Sequence, residues 1–192
     1  GDFGGGTSDF TLIKMAPQKF TKKDVLSIEG CPLAGDAFDS LFMSHRLNEY
    51  FGAKAKYKLP MSSNVLTMPK NVSLRLNHPA HIVHLKEKET YEFIKTVQKT
   101  SLTDKDSAAV SRLFTLLEDQ QIFSFFEEIE KTKRSLSLNK EVEFNFNYPD
   151  LDIRDLFTRP QFEEWSQDNI QKIFTALDRC LASAQVKPED VD

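Results

Sequence analysis

The sequence predicts an α/β protein in which a small N-terminal sheet precedes a larger α+β region. Residues 8–15 and 24–29 have the composition of strands, and with a stub at Asp2 they predict a three-stranded meander. Apolar residues then recur at helical spacing in three stretches, 86–99, 104–118 and 122–135. Strand and helix patterns in one chain indicate a mixed fold rather than an all-helical or all-β one.

Two turns and one helix follow from the first fifty residues. Residues 16–19 carry a turn signal between the two longer strands. After a glycine-bearing loop, Asp36 is placed to cap a helix that ends near Gly52. The apolar face of that helix is formed by Phe38, Leu41, Phe42 and His45. We expect His45 to lie in the core or at its rim.

The rest of the chain has an irregular part and a regular part. Residues 53–84 contain three prolines and predict a loop-rich insertion with one short helix. Glu141–Tyr148 alternates strictly between polar and apolar residues, which predicts a half-buried strand paired with residues 151–157. A capping box at Thr158 and Gln161 starts the last helix. Its apolar positions are Ile170, Ile173, Phe174, Leu177, Cys180, Leu181 and Ala184.

The composition excludes several classes of protein. With 192 residues, 40% hydrophobic and 28% charged, the chain can bury a core and is neither disordered nor collagen-like. The net charge of −4 provides no basic field for nucleic acid or an anionic membrane. No apolar run has the length of a membrane span. We therefore expect neither nucleic acid nor a membrane among the partners.

The two cysteines leave two interpretations open. Cys31 and Cys180 are far apart and lie outside any Cys-x-x-Cys spacing. They are either two free thiols of a reducing compartment or a disulfide or redox pair. The first interpretation predicts a cytoplasmic protein.

The first residues suggest a piece of a longer protein. Four of the seven glycines fall at positions 1, 4, 5 and 6, and the chain has no initiator methionine. A glycine turn between strand-like residues is an unusual beginning, because chains commonly start with a dispensable tail. We expect an excised fragment.

The same glycine turn is the first candidate site. Gly4, Gly5 and Gly6 let a backbone approach a ligand closely, and successive N–H groups there can form an anion-binding nest. Asp2 and Asp9 flank the turn on two strands, and Thr7 adds a hydroxyl. Oxygen ligands beside a polyphosphate suit Mg²⁺. The alternative is a plain hairpin with no ligand.

The second candidate site is a polar stripe on the helix that begins near residue 122. Glu130, Lys133, Arg134 and Ser137 recur at i, i+3, i+4 and i+7. A guanidinium can stack on a purine, a hydroxyl can bond the purine edge, and a Glu and a Lys can hold ribose hydroxyls. The alternative is a solvated charged face.

Two further patterns point elsewhere and are weaker. The triplet Asp2-Phe3-Gly4 occurs in protein kinases, but no His-Arg-Asp catalytic loop precedes it here. His78, His81 and His84 have metal-like spacing. Pro79 interrupts the helical register that would align the rings, so we expect a surface loop before a helix.

Four motifs in order resemble one family. They are Asp2-Phe-Gly-Gly-Gly-Thr7-Ser-Asp9, Leu33-Ala-Gly35-Asp-Ala-Phe38-Asp39, Glu130-Lys-Thr-Lys-Arg-Ser-Leu-Ser137 and Phe157-Thr-Arg-Pro-Gln-Phe-Glu-Glu164. Together they resemble the second lobe of the ATPase of DnaK-type 70-kDa heat-shock chaperones. The resemblance covers nearly the whole chain outside residues 53–120, and that insertion looks closer to the divergent YegD-like branch.

The resemblance implies a partial actin-like, ribonuclease H-like lobe with an α+β cap. Residues 1–35 and 168–192 would form part of the sheet-and-helix base of that lobe. Residues 36–167 would form the cap, with the long insertion at 53–120. Ala34 stands where the family has the first glycine of a pair, and Asp36 stands where it has a Glu.

The resemblance also implies a role for each residue of the two candidate sites. Asp2 and Asp9 would act on the attacking water and on Mg²⁺ through its bound water, and Thr7 would lie near the γ-phosphate. Gly4, Gly5 and Gly6 would cradle the β- and γ-phosphates, while Gly35 would approach the ribose and α-phosphate. On the helical stripe, Glu130 and Lys133 would hold the ribose, Arg134 would stack on adenine and Ser137 would bond its edge.

Several parts of the family's machinery would lie outside this chain. The first phosphate hairpin, the catalytic lysine and the peptide-binding domain belong to other segments in the family. We therefore expect a chain that contacts ATP or ADP with Mg²⁺ but is inactive alone. Implied partners are a nucleotide-exchange factor and a J-domain cochaperone, with unfolded polypeptide bound only through the other domains. The alternative is a non-enzymatic, actin-like interaction module whose cap docks such a partner.

Overall fold

The computed structural model describes residues 1–15 and 21–191 and has a mixed α/β fold. The turn expected at 16–19 lies outside the described residues. The chain divides into two compact units, a first unit of residues 1–38 and 163–192 and a second unit of residues 39–162. Among the described residues, no helix combines the length and the apolarity needed to cross a bilayer.

The first unit contains an antiparallel sheet of three strands in the order β1-β2-β3. The strands are β1 (Asp2–Phe3), β2 (Ser8–Ile13) and β3 (Val25–Cys31). The predicted meander is therefore confirmed. Asp2 pairs with Asp9 across the first two strands, and Asp9 pairs with Gly30 across the next two. Residues that pair directly share one face of a sheet.

The opposite face of this sheet packs on the last helix, α7 (Arg159–Ala184). Phe10 and Cys31 from the strands form one buried cluster with Ala176 and Cys180 from the helix. Ser27 donates its hydroxyl hydrogen bond to the carbonyl of Cys180 at 2.7 Å. Both cysteines are buried and free, as the first of the two interpretations predicts.

The apolar face predicted for α7 is only partly buried. Cys180 is 2% exposed, but Ile170 is 41% exposed and Phe174 is 55% exposed. A helix that lies on a three-stranded sheet covers only a narrow stripe of its surface, so part of a broad apolar face stays in contact with solvent.

Helix α1 (Gly35–His45) begins two residues earlier than a cap at Asp36 predicts. Asp36 lies inside its first turn, so the predicted side-chain cap is wrong. The N–H groups of Gly35 and Asp36 instead donate to the carbonyls of Gly4 and Gly5, at 3.2 and 2.8 Å. Backbone carbonyls of the glycine hairpin thus satisfy groups that a helix start otherwise leaves without a partner.

The same helix ends earlier than predicted. A separate 3₁₀ segment, Leu47–Phe51, follows α1, and Gly52 ends that segment with a φ of 82°. A Cβ on Gly52 would lie 2.8 Å from Cγ2 of Val110, so glycine is required there for both reasons. His45 is exposed, so a position in the core is wrong for it.

The second unit contains the predicted helices and strands with a few additions. Its regular elements in chain order are β4 (Lys56–Tyr57), β5 (Leu66–Thr67), α2 (Lys70–Arg75), α3 (Pro79–Ile82), α4 (Lys88–Lys99), α5 (Asp104–Glu118), α6 (Ile122–Leu136), β6 (Glu141–Tyr148) and β7 (Leu151–Thr158). Helix α5 and strand β6 have the predicted bounds. The β4–β5 pair and α3 were not predicted within the insertion.

The hairpin β6–β7 forms as predicted and carries the core of this unit. Phe144 and Phe146 lie on its inner face and contact the ring of Phe125 from α6, at centroid distances of 5.3 and 5.0 Å. Phe51 reaches the same ring at 5.0 Å. Phe125 is therefore the point at which α6, the hairpin and the 3₁₀ segment meet.

The junction from β7 to α7 has half of the predicted capping box. Oε1 of Gln161 accepts hydrogen bonds from the N–H of Thr158 at 3.1 Å and from its hydroxyl at 3.0 Å. The hydroxyl therefore donates to Gln161, whereas a full box needs it to accept from a backbone N–H.

Truncating the central phenylalanine should destabilise the second unit strongly. We expect Phe125→Ala to lower the free energy of unfolding by about 3–5 kcal/mol, because it opens a cavity among three other rings. Urea unfolding followed by far-ultraviolet circular dichroism measures this. Phe123→Ala on the same helix is the matched control, since Phe123 is 72% exposed and its loss should change stability by less than about 0.5 kcal/mol. Equal effects of the two variants would contradict the packing described.

Candidate functional site

The glycine turn forms a tight hairpin in the first unit. The N–H of Gly4 donates to the carbonyl of Thr7 at 2.9 Å, which leaves Gly5 and Gly6 as the two turn residues. The N–H groups of these two glycines donate to no acceptor within residues 1–15 and 21–191. Two adjacent exposed donors of this kind can bind an anionic oxygen.

Three oxygen-bearing side chains lie beside this turn. Asp2 and Asp9 pair directly in the sheet, so their exposed carboxylates share one face. Thr7 donates its hydroxyl hydrogen bond to Oδ2 of Asp9 at 2.9 Å. Directly opposed like charges destabilise a strand pair, and a bound cation would relieve the repulsion.

Gly30 is a part of this site that the sequence did not reveal. It pairs with Asp9 from the neighbouring strand, and a Cβ built on it would lie 2.9 Å from Oδ1 of Asp9. The missing side chain therefore allows the Asp9 carboxylate to lie over β3. A glycine inside a strand pattern is the sequence signal that could have indicated it, because such glycines mark close approaches.

The loop before α1 also contacts the hairpin. The hydrogen bonds from Gly35 and Asp36 bring the predicted second loop against the glycine turn. A Cβ on Gly5 would lie 3.1 Å from Oδ1 of Asp36. The structure thus brings the two phosphate-side motifs together within the first unit, and Asp36 adds a carboxylate beside them.

In the second unit, Glu130 and Arg134 form a surface ion pair on α6. The Arg134 guanidinium lies 2.7 Å from Oε1 of Glu130, and the two side chains are 76% and 45% exposed, respectively. An exposed pair at i, i+4 adds little stability. Its geometric effect is to hold the guanidinium plane beside the helix. Ser137 follows the end of α6 and is exposed.

Lys133 differs from its neighbours on the predicted stripe. Its ammonium lies 2.8 Å from Oδ1 of Asp39 in α1, and these side chains are only 20% and 13% exposed. The four residues therefore do not form one uniform exposed stripe. Asp39 belongs to the second motif but carried no predicted role, because a partner 94 residues away cannot be recognised from helical spacing.

Arg159 is a second residue that the sequence analysis missed. Its Nε donates to the carbonyl of Leu136 at 2.8 Å, and its Nη2 donates to the carbonyl of Ser137 at 3.0 Å. A cation at a helix C-terminus is favourable for the helix dipole. Arg159 therefore holds the backbone at Ser137. In the sequence, the only indication of this role was that Arg159 belongs to the fourth motif.

The three histidines do not form a metal site. Nδ1 of His78 accepts from the N–H of Ala80 at 3.1 Å, and His84 pairs with Glu87 at 3.0 Å. Within the described part of the chain, no group of three or more His, Cys, Asp or Glu is arranged to hold a metal ion. The expected surface loop is wrong: His78 caps α3, His81 lies within it, and His84 lies in the 3₁₀ segment Val83–Lys86. Pro79 occupies the first position of α3, where a proline is compatible with a helix.

A comparison with protein families agrees with part of the resemblance. The family model described as Hsp70 protein matches residues 111–192. The matched range includes the α6 residues Glu130, Lys133, Arg134 and Ser137, and it ends beyond α7. It supports a chaperone-like nucleotide-binding domain. The glycine hairpin lies outside the match, and no curated protein matches the chain.

Adding a methyl group at Gly30 should move Asp9 without unfolding the protein. We expect Gly30→Ala to turn the Asp9 carboxylate away from Thr7, because the new Cβ would occupy its position. Stability should change by less than about 1 kcal/mol, since alanine is at least as good as glycine in a strand. A crystal structure and a urea titration measure the two effects. Gly6→Ala is the control, because nothing lies within 4 Å of its Cβ. An unmoved Asp9 carboxylate in Gly30→Ala would contradict the role given to Gly30.

Removing the guanidinium of Arg159 should loosen the end of α6. We expect Arg159→Gln to raise amide hydrogen exchange at residues 137–139 by about tenfold, because two charge-assisted hydrogen bonds are lost. Arg179→Gln, an exposed arginine on the same helix, should leave those amides unchanged. Equal exchange rates in the two variants would contradict the role of Arg159 in holding the end of α6.

Proposed function

We propose that this chain contributes phosphate and adenosine contacts to the nucleotide-binding domain of a heat-shock chaperone-like ATPase. The observation that carries the proposal is the Hsp70 family match over 111–192, because it includes the whole polar set on α6. The geometry of the hairpin supports the phosphate contacts independently of that match, through its opposed carboxylates and two glycine amides that have no acceptor among the described residues.

At the phosphate end, each residue has a distinct task. The N–H groups of Gly5 and Gly6 donate to phosphate oxygens, and Gly4 keeps the turn closed through its bond to Thr7. The Thr7 hydroxyl lies near the γ-phosphate. Its hydrogen bond to Asp9 orients both groups before nucleotide arrives, which reduces the entropy lost on binding.

The residues present fit a magnesium ion held through its water shell. Asp2 and Asp9 oppose each other on one exposed face, and Gly30 leaves room beside Asp9. Two carboxylates with retained waters and substrate phosphates are a usual environment for Mg²⁺. When bound, the ion neutralises phosphate charge. Asp2 and Asp9 orient its water shell and the attacking water as hydrogen-bond acceptors.

At the adenosine end, the α6 residues hold the base and the sugar. Arg134 stacks its guanidinium on adenine while Glu130 keeps that plane in place. Glu130 and Lys133 bind the ribose hydroxyls, and Gly35 approaches the ribose and the α-phosphate with its backbone. Ser137 bonds the edge of the base. Arg159 acts as a positioning residue, because it bonds the Ser137 carbonyl.

The two compact units support the proposed division into base and cap. The proposal assigns 1–35 and 168–192 to the base of an actin-like lobe and 36–167 to its cap. The units, 1–38 with 163–192 and 39–162, differ from those bounds by five residues or fewer. The resemblance of the insertion at 53–120 is the basis on which we propose the YegD-like branch.

We infer that the chain alone does not hydrolyse ATP. Phosphoryl transfer needs the nucleophilic water and the metal to be held in one geometry by groups around them. Asp2, Asp9 and Asp36 all lie at the hairpin, but no group of three or more His, Cys, Asp or Glu among the described residues is arranged to hold a metal ion directly. In the family the remaining groups, including a catalytic lysine, come from the other lobe.

A second candidate function is a docking module for a cochaperone such as a nucleotide-exchange factor. The insertion has exposed apolar side chains at Met61, Val65 and Leu74, which are 107%, 55% and 65% exposed. Exposed apolar side chains of this kind are available for contact with a partner. A J-domain cochaperone would be a further partner of the complete ATPase.

Arg134 should matter for nucleotide binding and a control arginine should not. We expect weak binding of MgATP to the chain, with a dissociation constant on the order of 1 mM. Arg134→Ala should weaken it by about tenfold, because stacking of a cation on a base is worth roughly 1–2 kcal/mol. Titration followed by ¹⁵N shifts of the hairpin and α6 measures this. Arg154→Ala is matched to it, since Arg154 is also an exposed arginine in an ion pair.

Three results would contradict parts of this proposal. Equal affinities of Arg134→Ala and Arg154→Ala would remove the adenosine contact. Unchanged hairpin shifts in the wild-type chain would remove the phosphate contact. Measurable ATP turnover would overturn the inference that the chain is inactive alone, and micromolar affinity would overturn the expected weak binding.

A further inference from the structure

The two outer edges of the β6–β7 sheet differ in how their backbone groups are bonded. Among the described residues this sheet has only these two strands, so each strand has one outer edge. On β7, the carbonyl of Arg154 accepts a hydrogen bond from the hydroxyl of Tyr50 at 3.2 Å. The N–H of Leu156 donates to Oδ1 of the Asp155 side chain at 2.9 Å. Side chains therefore occupy the outer edge of β7.

These two contacts also show which backbone groups of β6 face outward. Arg154 pairs with Asn145, and Leu156 pairs with Glu143. Because Arg154 and Leu156 bond away from β6, both pairs are of the type without hydrogen bonds between the partners. The N–H and C=O groups of the partners then point away from β7 as well. By the alternation of the ladder, the outward residues of β6 are Glu141, Glu143, Asn145 and Asn147.

The outer edge of β6 has no partner within residues 1–15 and 21–191. The outward backbone groups make no hydrogen bond there, and the side chains of the four residues make neither a hydrogen bond nor an ion pair. All four residues are exposed. Edge strands are commonly protected by bulges, prolines or lysines, and this eight-residue strand contains none of them. A regular edge of this kind is a template for a further strand.

The charge of this edge indicates which strand it favours. Glu141 and Glu143 have no cationic partner in the described part of the chain, whereas Asp152 on β7 lies 3.6 Å from Arg154. A second copy of the chain would bring the same two carboxylates to the edge, and the approach of like charges is unfavourable. Side chains in directly paired positions lie close together, so lysine or arginine on an added strand would be attracted.

We propose that the outer edge of β6 binds an extended basic segment of a partner protein by strand addition. The outward N–H and C=O groups of Glu143 and Asn145 exchange hydrogen bonds with the backbone of that segment. Basic residues at alternate positions of the segment lie beside Glu141 and Glu143. The backbone bonds provide affinity, and the carboxylates select a basic sequence. This surface uses no side chain that has a nucleotide role.

The peptide acetyl-Lys-Val-Lys-Val-Lys-Val-amide is a suitable probe, and the same peptide with glutamate in place of lysine is its matched control. We expect the basic peptide to slow ¹⁵N-resolved amide exchange saturably at residues 141, 143, 145 and 147, by about fivefold or more. The amides of residues 142, 144 and 146 already bond β7 and should not change. This alternation distinguishes strand addition from adsorption to an acidic surface.

A matched pair of glutamate variants tests the selection by charge. Glu143→Gln should weaken binding of the basic peptide by about threefold, as loss of an exposed ion pair allows. Glu127→Gln removes the same charge from an exposed position on α6 and should leave the affinity unchanged. Equal affinities of the two variants would overturn the proposal.

A proline tests the backbone bonds. Asn145→Pro removes one outward N–H, at an edge position where proline is compatible with a strand. We expect binding to weaken by about fivefold or more, with the far-ultraviolet circular dichroism unchanged. If this variant does not fold, the glutamate pair and the alternation of protected amides still decide the question.

The opposite results overturn the proposal. They are absence of saturable protection, protection without alternation, equal binding of the acidic peptide, and a folded Asn145→Pro variant that binds as the unmodified chain does. A concentration-dependent dimer in analytical ultracentrifugation that Asn145→Pro disrupts would assign the edge to a second copy of the chain instead.

Discussion

The first unit depends on two backbone hydrogen bonds, from Gly35 and Asp36 to the carbonyls of Gly4 and Gly5. They fasten the glycine hairpin to the start of α1 and replace a side-chain cap. Gly5 permits this approach because the Asp36 carboxylate lies where a larger residue would need space. With its carbonyls used in this way, the hairpin presents its remaining donors, the glycine amides, on the other side. The carbonyls thus support the structure, while the proposal assigns anion binding to the amides of the same peptides.

In the second unit, side chains rather than backbone hydrogen bonds fix the candidate site on α6. Helix α6 exposes Arg134 and Ser137 to solvent, and its other faces and its end carry the contacts that hold it. The rings around Phe125 bury one face, the ion pair of Lys133 with Asp39 holds a second, and Arg159 holds the C-terminus. A largely buried ion pair contributes orientation more than net stability, because desolvation offsets much of the attraction. Lys133 therefore begins from a defined position if it binds a ribose.

How much could be predicted from sequence follows from the range of the interactions. The bounds of α5 and β6 were predicted because periodicity in a single element determines them. The cap at Asp36 was wrong since the hairpin carbonyls compete from 31 residues away. The ion pair of Lys133 with Asp39 and the hydrogen bonds from Arg159 to the end of α6 are tertiary contacts. No pattern of neighbouring residues in the sequence indicates them. Of the candidate sites, the residue types and their order could be predicted, but the contacts that orient them could not.

The opposition of Asp2 and Asp9 favours the proposed ligand-binding hairpin over a plain one. A hairpin selected only for stability would avoid like charges in directly paired positions, and one substitution at either position would remove the repulsion. Gly30 adds a second cost, because glycine weakens a strand interior, yet it leaves room for the Asp9 carboxylate. The hairpin therefore combines two features that are unfavourable for stability, the opposed carboxylates and the strand glycine Gly30. They lie beside two amides that have no acceptor within the described residues. Such a combination is expected where a cation and an anionic ligand bind together. Under the proposal, binding of both ligands would offset the free-energy cost of the free hairpin.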